Sequence, residues 1–191
     1  EASADMGALM MDGLTDGPRT EEEVFKIQLL MKQAKISPED RTVTVAAKER
    51  AEKTSAPAAA MELENGQIIT GKTSDLLGAS AALLLNALKE LAGLPHDLHV
   101  ISPASIEPIQ KLKTEYLGSK NPRLHTDEVL IALSSSAATS DAARMALEQL
   151  PKLKGCQVHS SVMLSSIDRK IFQKLGIQLT CEPVYEHKKL Y

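Results

Sequence analysis

A chain of 191 residues with a formal net charge of −3 has room for one domain, or for one domain and a helical arm. The acidic balance lacks the basic footprint of a nucleic-acid binder, and with aromatics at 3 % and no Trp there is no platform on which bases stack. No run approaches the ~20 apolar residues of a membrane-spanning helix, and two cysteines are too few for a disulfide framework, so the expectation is a cytoplasmic protein with reduced thiols and neither membrane nor nucleic acid as partner.

Residues 1–18 carry turn signals at Asp12-Gly13 and Asp16-Gly17-Pro18 and nothing that reads as a secretory leader. The start at Glu1, without an initiator Met, predicts a piece of a longer protein. Thr20 with Glu23 forms a capping box, after which Val24, Ile27, Leu30, Met31 and Ala34 recur at helical spacing. Ser37-Pro38-Glu39-Asp40 is a second helix start. Thr42 to Val45 alternates like a strand, yet Ala46 to Lys53 is helical, and a helix to about Thr54 is the preferred reading. Asn65-Gly66 between Ala58–Glu64 and Gln67–Thr70 predicts a hairpin in which both turn positions take positive φ.

Ser74 or Thr73 then caps a helix over Asp75–Leu91, apolar on most sides and so expected to be buried. Asp97–Ile101 reads as a short strand, Ser102-Pro103 opens a helix running to about Tyr116, and Gly118–Thr126 is a polar loop. Asp127–Ala138 and Asp141–Leu150 form a helical pair, followed by a strand over Gln157–Leu164, a helix over Ser166–Leu175 and a last strand over Ile177–Pro183. The predicted class is α/β, a layered α/β/α sandwich around a mixed sheet. Residues 1–36 are the N-terminal loop and helical arm, and 37–191 the sandwich domain.

Gly66-Gln67-Ile68-Ile69-Thr70-Gly71-Lys72-Thr73 matches the letters of a phosphate loop. Its middle residues favour a strand, however, and Gly66 is already needed by the hairpin. What survives is a weaker idea. Lys72, Thr73 and Ser74 precede a helix N-terminus, whose free amides and partial positive charge hold anionic groups. Gly78-Ala79-Ser80 resembles a nucleophile elbow but lacks the final glycine and falls inside a helix. Cys156 and His159 are three apart on a strand and so point to opposite faces, as do His96 and His99. Together with the loose Cys181–His187 spacing they give no metal site, and both cysteines read as core thiols. His159 and Ser161 make a polar face that lines either a site or an exposed sheet edge.

The densest set of reactive side chains lies in the loop Leu117–Glu128, with Lys120, Arg123, His125, Asp127 and Glu128, and with Lys111 and Lys113 just upstream. Lys72, Thr73, Ser74, Lys113, Lys120, Arg123 and His125 are accordingly the candidate anion ligands, expected to meet over the start of the leucine-rich helix. Arg offers a bidentate fork for phosphate and His a proton near neutral pH. No complete catalytic set, metal site or cofactor motif is present.

Ala4-Asp5-Met6-Gly7, Ile69-Thr70-Gly71-Lys72, the run Leu112–His125 and Leu175-Gly176-Ile177 resemble the C-terminal part of the bacterial uncharacterised protein family 0371 (domain of unknown function 1846). That resemblance implies a longer protein whose absent N-terminal half carries a glycine-rich, phosphate-loop-like run, and it brings no established activity. Glu64–Gly71 followed by a buried helix is also similar to the hairpin-then-helix core of cytidine deaminases, which implies a cytidine-deaminase-like topology. The His-or-Cys before a Glu and the later Pro-Cys-x-x-Cys that build the zinc site of those enzymes are missing, so deamination is not implied. The expected function is an accessory or ligand-binding domain of a larger phosphate- or nucleotide-handling protein. Its partners would be the absent half, a small anionic ligand and a second copy of the chain. The alternative is a structural or oligomerisation module without a ligand.

Overall fold

The computed structural model describes residues 21–186. The turns of residues 1–18, the capping residue Thr20 and His187 lie outside the described residues. Helix α1 (Glu21–Ala34) ends at Lys35, which takes φ +54°, and a single 3-10 turn at Pro38–Asp40 leads into α2 (Thr42–Thr54). Phe25, Leu29 and Leu30 of α1 are exposed. The ambiguous segment after Arg41 is thus helical throughout, because Val43 and Ala47 recur on one face and bury against the sheet.

Strands β1 (Ala58–Glu62) and β2 (Ile68–Lys72) form the expected hairpin, with Ala60 opposite Thr70. Its turn differs from expectation. Only Gly66 has positive φ, at +81°, and the bonds Gly66 N to Leu63 O and Leu63 N to Gln67 O describe a turn closed by one left-handed glycine. β3 (Gln157–Ser160) pairs antiparallel with β1, and β4 (Gln178–Cys181) pairs parallel with β3, giving the mixed order β2-β1-β3-β4.

Helices cover both faces. On one side α3 (Ala79–Leu91) buries Leu83, Leu84 and Leu88 completely, against Ala59 and Met61 of β1 and Val158 of β3. On the other side Val43 and Ala47 of α2 close over Ala60. The alanine run of β1 leaves both helices room to approach. Closest contact falls at Gly71, where a β-carbon would stand 2.2 Å from the Leu83 amide nitrogen.

The rest of the leucine-rich layer comes from α4 (Pro103–Lys111) with a π-helical turn at Leu112–Tyr116, α5 (Thr126–Ser136), α6 (Asp141–Leu147) and α7 (Ser166–Lys174). Three expectations fail here. The leucine-rich helix starts at Ala79 rather than Asp75, because Ser74 closes a turn with Leu76 and Leu77, and the backbone of Leu76 and Gly78 bonds to Leu124 in the loop before α5. Asp97–Ile101 is not a strand: the carbonyls of His96 and Leu98 accept from the Lys89 ammonium, at 2.7 and 3.4 Å, in place of a neighbouring strand. β3 stops at Ser160, where the Ser160 hydroxyl donates to Val162 O and turns the chain. Cys156 and Cys181 are buried in the leucine-rich core as expected. Among the described residues no helix is long and apolar enough to cross a membrane.

Candidate functional site

Two connecting segments lie side by side at one end of the core. Leu77 bridges Leu124 in parallel, with Leu124 N donating to Leu76 O at 2.9 Å and Gly78 N to Leu124 O at 3.2 Å. Leu124 is fully buried in the leucine core. Side chains alternate along an extended run, so the neighbours of Leu124 on either side, Arg123 and His125, turn to the opposite, partly exposed face. At ~3.3 Å per residue their α-carbons stand roughly 6–7 Å apart.

His125 precedes the first turn of α5 with extended backbone. Its Nδ1 is 3.0 Å from Oδ2 of Asp168, which lies in the first turn of α7. Asp168 is 4 % exposed. Its two oxygens accept from four donors: His125 Nδ1 and the Ser165 hydroxyl on one, the Thr126 amide and hydroxyl on the other. Burial pushes this carboxyl up, but the donated bonds and the adjacent imidazole outweigh it and hold it at about 2. The same bond raises the His125 pKa above its ordinary value, against an opposing effect of burial. Asp168 therefore stays ionised, fixes the ring, and accepts the hydrogen bond from Nδ1–H whether the imidazole is neutral or protonated. Among the described residues nothing hydrogen-bonds His125 Nε2, and the side chain is 26 % exposed.

Arg123 is held just as firmly. Its Nε donates to Ser74 O at 2.9 Å and its Nη1 to Glu186 at 2.8 Å. Its amide donates to Asn121 Oδ1, and its carbonyl accepts from the Lys113 ammonium. Lys113 is 7 % exposed and pairs with Glu128 at 2.7 Å, while the second bond to that Glu128 oxygen comes from the His125 amide.

Of the sequence-predicted ligands, Ser74, Lys113, Arg123 and His125 are thus linked through direct bonds or shared partners. Their arrangement differs from a row of cations above the helix. The Lys113 ammonium is spent on internal acceptors and serves as a strut. The Ser74 hydroxyl accepts from the amides of Leu76 and Leu77, shaping a turn ahead of α3, and Gly78 occupies the capping position expected of Ser74 or Thr73. Thr73 is buried, with its amide on Pro57 O, and Lys72 and Lys120 are exposed. Sequence reasoning missed Asp168 and Glu186. The only trace of Asp168 was its place three residues after Ser165, where its amide donates to the Ser165 hydroxyl in an ordinary helix cap.

The polar face around His159 also differs from expectation. β3 is an inner strand, and His159 is 1 % exposed under α2. Arg41 donates to Thr180 Oγ1 and to Gln157, Thr180 Oγ1 lies 2.8 Å from His159 Nδ1, and Glu182 lies 3.2 Å from Nε2. Burial drives this imidazole down to about 4. A neutral ring with its proton on Nε2 donates to Glu182, and the single hydroxyl hydrogen of Thr180 is shared between His159 Nδ1 and the Val158 carbonyl. Ser161 meanwhile closes the sheet, its hydroxyl accepting from the Ala58 amide.

The family model described as "Domain of unknown function DUF1846, C-terminal" matches residues 39–191. The chain belongs to this family. Its curated relatives are UPF0371 proteins. One from Corynebacterium efficiens is 60 % identical over 166 residues, covering 87 % of this chain and 34 % of the relative. One from Corynebacterium glutamicum is 53 % identical over 181 residues, covering 93 % and 37 %. One from Streptococcus uberis is 51 % identical over 171 residues, covering 90 % and 35 %. This UPF0371 chain spans about a third of the length of those relatives.

Proposed function

We propose that this UPF0371 segment is a ligand-binding domain that presents a proton-transfer group, His125, beside a cationic anchor, Arg123, to a small anionic ligand. The single observation behind the reading is the Asp168 carboxylate, which is buried, saturated by four donors and bonded to one nitrogen of a partly exposed imidazole whose other nitrogen has no hydrogen-bond partner among the described residues. Such a pair fixes ring orientation and tautomer, and it makes the free nitrogen a stronger base. In the longer protein the domain would act as a C-terminal accessory to phosphate or nucleotide chemistry carried elsewhere in the cytoplasm. The sheet order, with β1 antiparallel to both neighbours, supports a deaminase-like topology emptied of its zinc chemistry.

Carbethoxylation of the chain with diethyl pyrocarbonate, mapped by mass spectrometry, tests this. His125 is expected to react at Nε2, while the buried His159 does not. Within a panel of phosphomonoesters and dicarboxylates, at least one member should protect His125 but not the exposed His96 and His99. If none protects at millimolar concentration, the domain has no ligand at this site. A second reading, a structural module seated on another chain or a second copy, draws on exposed Leu112, Tyr116 and Leu117. Under that reading charged replacements there change the sedimentation coefficient, and no anion protects His125.

A further inference from the structure

We infer that Arg123 is an oxyanion site that the protein fills with its own Glu186, so that a carboxylate- or phosphate-bearing ligand binds by displacing that side chain. The inference deepens the proposal above and rests on it for the role of His125. Arg123 is unlike a surface arginine free to sweep solvent. Its backbone is pinned on both sides, by Asn121 at the amide and Lys113 at the carbonyl, and its Nε is spent on Ser74 O. The guanidinium plane is therefore set before any ligand arrives, and one edge faces a carboxylate, that of Glu186 at 2.8 Å.

Glu186 reaches this position from the segment after β4. That segment is anchored by the Val184 carbonyl, which accepts from the Met163 amide at 2.7 Å. Beyond the anchor the contact is light. Tyr185 is 74 % exposed, and the Glu186 side chain 43 %. The Glu186 contact is end-on, through a single nitrogen. A half-exposed pair of this kind is weakly held. An incoming carboxylate or phosphate gains a fork-like contact with the same guanidinium and the imidazole on the same face of the 123–125 run, both charge-assisted. Two charged groups compete for one fork, and the resident one is tethered by a few residues, so Glu186 sets a threshold on ligand affinity.

The probes are inorganic phosphate and malonate, titrated at constant ionic strength into the chain while the Arg123 Nε–H and His125 Cε1–H resonances are followed. Glu186→Gln should tighten both probes by roughly 1.5- to fivefold, the range expected when an exposed ion pair no longer competes. Arg123→Gln, read at the His125 resonance that remains, should abolish the saturable shift with both probes. Glu115→Gln, which removes an exposed carboxylate paired with Lys111 at 3.8 Å, should leave the dissociation constants unchanged. The ratio of the two probes tells phosphate from carboxylate preference. Equal constants for wild type and Glu186→Gln, or binding that survives Arg123→Gln, overturns the inference. Were Glu186→Gln to tighten binding while His125 never responds to the probes, the oxyanion site would stand and the proton-transfer reading would fall.

Discussion

Replacing Asp168 by Asn is the sharpest single perturbation of this site. The carboxyl lies at about 2 instead of 3.8, which corresponds to about 2.5 kcal/mol favouring the charged form in the folded state. Asn keeps one oxygen for the Thr126 amide and hydroxyl. It places an NH2 group against His125 Nδ1 and the Ser165 hydroxyl, both of which need an acceptor there. Asp168→Asn should therefore cost about 2–3 kcal/mol at pH 6 and drop the His125 pKa from its raised value to the ordinary histidine range or below. The pH dependence has a definite shape. A depressed carboxyl stabilises fully above its unfolded value near 3.8 and loses that contribution as pH falls toward 2. A raised imidazole stabilises fully below its unfolded value near 6.5 and loses that contribution as pH rises through its folded value. The wild-type advantage over Asp168→Asn should therefore be greatest between about pH 4 and 6.5 and shrink on both sides. Urea unfolding followed by circular dichroism from pH 3 to 9, with His125 Cε1–H titrated by NMR in both proteins, measures this. A stability difference independent of pH, or an unchanged His125 pKa in the variant, would refute the coupling of the two side chains.

Gly71→Ala should destabilise by at least about 1–3 kcal/mol, since its methyl would overlap the α3 backbone. Gly66→Ala, which meets only the left-handed backbone penalty in open space, should cost about 1 kcal/mol; thermal melts of the two variants rank them. Lys113→Met leaves the Glu128 carboxylate and the Arg123 carbonyl without their buried cation and should cost about 3–5 kcal/mol. The double variant Lys113→Met, Glu128→Gln should recover part of that loss in a double-mutant cycle. His159 shows the opposite pH behaviour to His125. Its folded pKa of about 4 lies below the unfolded value, so the unfolded chain takes up the proton first and stability falls as pH drops from 6.5 toward 4, by roughly 3 kcal/mol in all. His159→Gln should flatten that slope in the same urea series.

Local chemistry made most of the fold readable. Asn65-Gly66 between two short runs and Ser102-Pro103 at the start of α4 each point to structure through residues within a few positions of one another. The misreadings arise where side chains or another segment claim backbone groups that local preference assigns elsewhere. Asp97–Ile101 has strand composition, but the Lys89 ammonium takes the carbonyls of His96 and Leu98. Ser74 has the chemistry of a helix cap, but it caps a turn at Leu76 and Leu77, and Leu124, far along the chain, takes the backbone of Leu76 and Gly78.

The site shows the same division more sharply. Arg123 and His125 could be singled out because they stand in one polar loop, and their shared outward face follows from Leu124 being apolar between them. Asp168 could not, because what distinguishes it from any acid in a helix's first turn is the pair of residues 42 and 43 positions earlier that donate to it. Charge counting in sequence placed Lys113 among the ligands beside Arg123, whereas burial separates them: Lys113, with its ammonium bonded to the Arg123 carbonyl and Glu128, carries positive charge that no solvent ligand can meet. The function of the loop therefore turns on which charges the fold consumes internally. Lys113 is consumed by Glu128, Arg123 is held in part by a half-exposed Glu186, and His125 keeps one nitrogen without a hydrogen-bond partner among the described residues. That ordering, from sealed to half-exposed to unpartnered, supports the proposal that Arg123 and His125 meet a ligand while Lys113 serves the scaffold.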